Sequence, residues 1–92
     1  MMKKEIIEKE EHGLKIAILN RGWVMIGNFN QTGEMCHLSN ASVIRRWGTD
    51  KGLGQLAIEG KQNGTILDFI GEVDFHILTT VAIVDVDTSK WT

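Results

Sequence analysis

The sequence predicts a mainly β domain of the α+β type, built as a small antiparallel barrel or sandwich of about six to seven short strands with one short helix. Three observations predict this class. Apolar runs of five to eight residues recur every eight to twelve positions, and glycines lie at nearly every boundary between them. The chain contains no proline, so glycine and asparagine must form the turns. The 92 residues allow one domain, assigned to 13–92.

Residues 1–12 are predicted as a charged N-terminal arm ahead of that domain. Glu5 and Lys9 lie four residues apart, a spacing that supports one helical turn, but two isoleucines cannot build a core face. We interpret the segment as a frayed arm. A short helix or an edge strand that docks on a partner subunit is the alternative.

The first two strands are predicted as a hairpin. Leu14, Ile16 and Ile18 alternate with their neighbours in the period-two rhythm of a strand. A glycine-containing turn at 20–22 follows, and residues 22–29 resume the apolar pattern. The remaining runs predict strands at 35–38, 41–47, 65–70, 72–77 and 79–86, with a break at Gly71, and a helix at 55–60 that ends in a glycine cap.

Composition excludes several classes of function. Ten basic against twelve acidic residues give a net charge of −2, without the basic excess of proteins that bind duplex nucleic acid. Cys36 is the single cysteine and cannot form an intramolecular disulfide, and no segment has the pattern of a signal peptide or a membrane span. We therefore expect a cytoplasmic protein with no membrane and no duplex nucleic acid among its partners. A domain this short buries little surface alone, which favours self-association.

The strongest local signal for a binding site is the run from Arg45 to Gly54. On a strand, Arg45 and Trp47 project from the same face. There an indole offers a stacking surface to a nucleobase, and a guanidinium pairs with base edges or phosphate oxygens. Gly52 then leads into the helix, whose free N–H groups, together with Lys51, would form a phosphate cradle.

This run does not match a P-loop, because it lacks the Gly-Lys-Ser/Thr ending. A purely structural interpretation stays open, in which Thr49 or Asp50 caps the helix, Trp47 packs in the core and the arginines pair with acids. Trp23 repeats the Arg–aromatic adjacency in the hairpin, either as a core residue or as a ligand contact. The candidate ligand-binding residues are Trp23, Arg45, Trp47, Thr49, Lys51, Gly52 and Gly54.

Other polar groups are interpreted as structural. Glu72, Asp74 and His76 share one face of a strand, which is typical of any solvated strand face and does not by itself indicate a metal or acid–base site. Cys36 and His37 are adjacent, so their side chains point to opposite faces and do not form a nucleophilic pair.

Asp68 lies in an apolar run, where a buried carboxylate requires a partner. We expect it to pair with Arg45 or Arg46. The sequence predicts no catalytic residue, no metal site and no cofactor.

Several motifs carry a resemblance to a known family. They are Arg21-Gly22-Trp23-Val24, Ala41-Ser42-Val43-Ile44-Arg45-Arg46-Trp47-Gly48-Thr49, Gly52-Leu53-Gly54 with Leu56-Ala57, and Thr65-Ile66-Leu67-Asp68 with Gly71. On these motifs, from about Ile18 to Trp91, the chain resembles a family of small, formerly uncharacterised phage and bacterial proteins. Through that family it resembles phage anti-CBASS sponges, which bind cyclic oligonucleotide signals such as cyclic GMP-AMP without cleaving them.

The resemblance implies a phage immune-evasion protein that sequesters a cyclic oligonucleotide in the host bacterial cytoplasm and so blocks activation of the CBASS effector. It also implies a homo-oligomer, with a tetramer as the expected form, that holds ligand partly at subunit contacts. Two alternatives from other classes remain open. One is a small oligomeric adaptor or inhibitor that binds a host protein through an exposed Trp23 or Trp91. The other is a hydrolase that acts on the same nucleotide.

Overall fold

The computed structural model describes residues 9–91, with side chains from His12 onward. Its framework is one antiparallel sheet of five strands in the order β4-β3-β2-β1-β5, accompanied by one α-helix. Short 3₁₀ turns follow β1, β4 and β5. The elements are β1 (Lys9–Leu19), β2 (Val24–Thr32), β3 (Met35–Arg46), α1 (Leu53–Glu59), β4 (Ile66–His76) and β5 (Thr80–Asp85).

The predicted class is confirmed, because the described chain is mainly β and antiparallel with one short helix. The predicted barrel or sandwich of six to seven short strands is wrong, since the five strands form a single sheet that does not close. β1 begins at Lys9, so residues 9–12 of the predicted arm lie in this strand. The rest of the arm, residues 1–8, lies outside the described residues.

Two β-bulges explain the lower strand count. The predicted strands at 35–38 and 41–47 are one strand, β3, which continues through Asn40 at a φ of 51°. The predicted strands at 65–70 and 72–77 are likewise one strand, β4, which continues through Gly71 at a φ of 90°. The β3–β4 register shifts at these positions, so each positive-φ residue bends the ladder and does not end it.

The hairpin and the helix are confirmed. A tight turn over Asn20–Gly22 joins β1 to β2, and the Leu19 N–H donates to the Trp23 carbonyl at 2.7 Å. The helix begins two residues earlier than predicted and ends at Gly60, whose N–H donates to the Leu56 carbonyl at 2.9 Å. Gly60 has a φ of 86°, the conformation that favours glycine at this position.

The helix packs on one face of the sheet, named here the helix face. Leu56 and Ala57 of α1 are buried there against isoleucines from the three central strands. The chain after β5 closes this core, since the Asp87 N–H donates to the Ala57 carbonyl and Trp91 packs against the cluster. No helix in the described part of the chain is long and apolar enough to cross a membrane.

The opposite face of the sheet, named here the open face, carries a second apolar cluster. Its central side chains are buried and pack against one another, and α1 lies on the other side of the sheet. At its margins, Trp23 is 53% exposed, Ile70 44% and Val81 66%. The buried members of the open-face cluster are Ala17, Leu19, Met25, Phe29, Cys36, Leu38, Ala41 and Phe75.

Candidate functional site

The predicted ligand-binding residues lie at one end of the sheet, where β1 ends, β2 begins and β3 ends. They fall into two groups with different neighbours. Arg45 lies in β3, and Trp23 directly precedes β2 and borders the open face. The loop from β3 to α1 and the first turn of the helix hold the other five, which are Trp47, Thr49, Lys51, Gly52 and Gly54.

Strand register brings Trp23 and Arg45 together. Met25 of β2 lies opposite Val43 of β3, and continuing this antiparallel register by two residues places Trp23 opposite Arg45. Directly opposite residues share a face of the sheet. Trp23 borders the same apolar cavity as Met25, which fixes that face as the open one. The extended register thus places an exposed indole and a guanidinium on the same face at this end of the sheet, whereas the sequence predicted such a pairing for Trp47.

Arg45 is held by a carboxylate. Its Nε donates to Asp68 Oδ2 at 2.6 Å, which confirms the predicted pairing of Asp68 with one of the two arginines. The prediction that Asp68 is buried is wrong, since its side chain is 47% exposed at the edge of the sheet. Because Asp68 engages only Nε, the terminal guanidinium nitrogens lie outside this contact, and the Arg45 side chain is 61% exposed.

Trp47 has different neighbours from Arg45. A register shift between Ile44 and Arg46 interrupts the alternation on which a shared face would depend. The Trp47 ring lies beside the loop, 4.0 Å from the position of a Cβ on Gly52, and its carbonyl accepts from Thr65 Oγ1 at 2.6 Å. Trp47 is 40% exposed, so the structural alternative that buries it in the core is wrong.

Gln55, in the first turn of α1, accepts hydrogen bonds from the backbone of the loop before the helix. The N–H groups of Asp50 and Lys51 donate to Gln55 Oε1 at 3.0 and 2.8 Å. Gln55 therefore occupies the position that the sequence assigned to a phosphate. The N-cap residue is Gly52, without a side-chain cap, so neither Thr49 nor Asp50 caps the helix as the structural alternative expected.

Thr49 and the two loop glycines complete this group. Thr49 Oγ1 is buried and has no hydrogen-bond partner among the described residues. Gly52 adopts a φ of 83°, which a side chain at this position would disfavour. Gly54 lies in the first turn of α1 facing open space.

A cavity of about 320 Å³ opens on the open face beside Trp23. It lies between the start of β2 and the middle of β4, across the part of β3 that carries the short side chains Ala41 and Val43. Asp74 is the one polar residue in its lining. The apolar lining residues are Leu19, Trp23, Met25, Ile70, Val73 and Phe75.

A three-residue cluster that the sequence did not predict lies on the helix-face side of β3 and β4. His37 Nδ1 lies 2.6 Å from Asp74 Oδ1, and His37 Nε2 lies 2.8 Å from Glu72 Oε1. Two hydrogen bonds raise the pKa of His37 above its ordinary value, and the bond to Asp74 has a larger effect than the bond to Glu72. The hydrogen bond from His37 and the backbone N–H of Asn40 lower the pKa of Glu72.

Cys36 lies on the other face from His37, as predicted. It is buried in the open-face cluster, and burial raises the pKa of its thiol. No group of three or more His, Cys, Asp or Glu side chains within residues 12–91 has the arrangement of a metal site. The candidate site therefore consists of the Trp23–Arg45 pair with its cavity and, beside it, the loop before α1. Comparison with protein-family models, curated proteins and solved structures finds no match to this chain.

Proposed function

We propose that this chain binds a cyclic oligonucleotide second messenger, such as cyclic GMP-AMP, and sequesters it without cleaving it. The single observation that carries the proposal is the Trp23–Arg45 pair beside a cavity on the open face. In a phage-infected bacterium such binding would remove the signal that activates a CBASS effector, as in the sponges that the sequence resembles. The proposal places the protein in the host cytoplasm.

The chemistry of the pair suits a nucleotide. The Trp23 indole is 53% exposed and offers a flat surface on which a base can stack, a contact worth about 1–3 kcal/mol per base. Arg45 presents its terminal nitrogens outside the ion pair with Asp68, and a guanidinium binds phosphate through two parallel hydrogen bonds. Stacking and phosphate binding together are sufficient for sequestration, which requires no catalytic group.

The loop before α1 has a supporting part in this proposal. Lys51 supplies a positive charge close to the sheet end, and Trp47 offers a second partly exposed ring. A phosphate that bound the Asp50 and Lys51 N–H groups would first have to displace Gln55 Oε1. We therefore assign the larger share of the binding free energy to Trp23 and Arg45.

We also propose that the protein acts as a homo-oligomer, with a tetramer as the expected form. The support is the open face, where Trp23, Ile70 and Val81 expose apolar surface around a buried cluster. A domain of this size is stabilised when another subunit covers such exposed apolar surface.

The test is a retention assay. Purified protein is incubated with a panel of cyclic di- and trinucleotides, filtered free of unbound ligand and heat-denatured, and the released material is separated by chromatography. Recovery of one intact ligand supports the proposal. Recovery of a converted ligand would make the protein an enzyme, and retention of no panel member would refute nucleotide sequestration.

A second candidate function is an oligomeric adaptor or inhibitor that binds a host protein. The observation that favours it is the exposure of Trp23, together with Phe69 at 69% and Ile70 at 44% on β4. Trp91, the other anchor expected from the sequence, packs against the helix-face core and does not support it. Affinity capture with wild-type protein and a Trp23→Ala control tests this candidate, which requires a partner that is specific to the wild type.

A further inference from the structure

We propose that the cavity beside Trp23 is the subsite for one nucleobase of the ligand, with Trp23 and Ile70 on either side of its mouth. This inference rests on the proposed function and names the residues and the chemical group that the function requires. It assigns binding roles to Ile70, Val73 and Met25, which the sequence did not single out.

The position of the cavity follows from the sheet. Gly71 bends β4 at its bulge, and β3 carries only Ala41 and Val43 on the open face at that level. The cavity is bordered by Met25 of β2 on one side and by Val73 of β4 on the other.

The lining suits a flat, largely apolar ring. Leu19, Met25 and Phe75 are buried at the base of the cavity, whereas Trp23 and Ile70 are exposed at its margin. The one polar residue in the lining is Asp74, and its carboxylate is hydrogen-bonded to His37 on the helix-face side of the sheet. A base that entered the cavity would contact aliphatic side chains on one side and the Trp23 indole on the other.

The cavity has room for a nucleobase but not for a whole cyclic dinucleotide. Pockets that enclose whole drug-sized ligands measure about 300–1,000 Å³, and a volume of about 320 Å³ lies at the lower end of that range. The remainder of a cyclic dinucleotide would extend from the cavity. Arg45 stands at the same end of the open face, opposite Trp23, so a phosphate attached to the enclosed nucleoside would lie on the side of the guanidinium.

The test compares three probes that separate the ring from the phosphate: adenosine, adenosine 5′-monophosphate and ribose 5-phosphate. Each is titrated into the full chain, with affinity measured by calorimetry and the Ile70 and Val73 methyl signals followed by NMR. We expect adenosine and the monophosphate to shift these signals through the ring current of the base. Ribose 5-phosphate should leave them in place.

A matched pair of variants sharpens the test. Ile70→Glu puts a carboxylate at the cavity mouth, where an entering base would desolvate it, so adenosine affinity should fall at least about tenfold. Ile58→Glu makes the same change at an exposed residue of α1 that does not line the cavity and should change the affinity less than about twofold. Thermal unfolding of both variants shows that each is folded.

The outcomes separate this inference from the proposed function. Retention of a cyclic oligonucleotide without a shift of the cavity methyl signals, or with unchanged affinity in Ile70→Glu, would overturn the inference and leave sequestration standing. Adenosine binding in the cavity without retention of any cyclic oligonucleotide would support the base subsite and overturn sequestration. Retention of no cyclic oligonucleotide, together with binding of neither adenosine nor its monophosphate in the cavity, would overturn both.

Discussion

His37 lies opposite Asp74 across the β3–β4 pair, and its Nδ1 is 2.6 Å from Asp74 Oδ1 while its Nε2 reaches Glu72. A neutral imidazole has one N–H, so hydrogen bonds from both ring nitrogens to carboxylates require the imidazolium. Glu72 also accepts from the Asn40 N–H at the bulge of β3. The cluster therefore joins the edge strand β4 to β3 at the level where both strands bend.

This cluster predicts a pH dependence of stability. The raised pKa of His37 means that its contribution is complete below about pH 6.5, the ordinary value, and is lost as the pH rises through the folded-state pKa. The lowered pKa of Glu72 means that its contribution is lost as the pH falls through that folded-state value. The free energies of unfolding of the wild type and His37→Gln can be measured in denaturant from below pH 6.5 upward through the folded-state pKa of His37. The difference between the two should become smaller as the pH rises.

The same cluster predicts the titration of His37 itself. By NMR, Asp74→Asn and Glu72→Gln should each lower the pKa of His37, because each removes a hydrogen bond that stabilises the imidazolium. Asp68→Asn is the matched control, since Asp68 lies on the same strand but pairs with Arg45. An unchanged pKa of His37 in both cluster variants would contradict this assignment.

Two glycines should respond oppositely to alanine. A Cβ on Gly48 would lie 2.2 Å from the Gly64 carbonyl carbon, and Gly48 has a φ of 68°. Strain and overlap should lower the free energy of unfolding of Gly48→Ala by about 2–4 kcal/mol. Gly54 faces open space in α1, so Gly54→Ala should raise it by about 0.5–1 kcal/mol. Urea titrations of both variants measure the two effects, and a Gly48→Ala as stable as the wild type would show that the loop relaxes freely.

The helix should depend on one buried side chain. Leu56 is fully buried against the helix-face core, whereas Ile58, two residues later, is 66% exposed. Leu56→Ala should lower the free energy of unfolding by about 2–5 kcal/mol, because it leaves a cavity in the core. Ile58→Ala should change stability by less than about 0.5 kcal/mol in chemical denaturation, as a surface substitution does. Equal losses in the two variants would mean that α1 packs through another face.

Ligand retention should follow the charge and stacking assignments. Arg45→Ala and Trp47→Ala should each weaken retention of the cyclic oligonucleotide while the oligomer stays intact, with Arg45→Ala the more severe. Lys51→Ala should do less, because a flexible ammonium adds only a supplementary phosphate contact. Arg46→Ala is a charge-matched control for Arg45. Size-exclusion chromatography beside the retention assay distinguishes lost binding from lost assembly, and loss of folding in the Arg45 or Trp47 variant would return that residue to a structural role.

The elements that the sequence predicted well are those set by local patterns. The alternation in 14–19 and the cap at Gly60 depend on residues close in the chain, and both features occur where they were predicted. Asn40 and Gly71 were interpreted as strand ends, because a residue suited to positive φ marks either a turn or a bulge. Whether such a residue forms a turn or a bulge is decided by the pairing of β3 with β4. That pairing depends on contacts between residues far apart in the chain, so the local sequence does not reveal it.

The site was predicted less completely for the same reason. Asp68 was expected to pair with Arg45 or Arg46, and it pairs with Arg45, although its carboxylate is exposed. The neighbour of Arg45 on the open face is set by the β2–β3 register, which brings in Trp23 from twenty-two residues earlier. His37 and Asp74 lie in separate strands, and only their register shows that they meet.

The most direct test of sequestration is one NMR titration that follows both partners. Cyclic GMP-AMP is added to isotope-labelled wild-type protein, and the Trp23 indole N–H and Arg45 Nε–H signals are recorded together with the phosphorus spectrum of the ligand. We predict that both protein signals shift until the sites are filled, while the ligand phosphorus signals persist unconverted for hours. Unshifted Trp23 and Arg45 signals at excess ligand, or new phosphorus signals from a cleaved product, would contradict the proposed function.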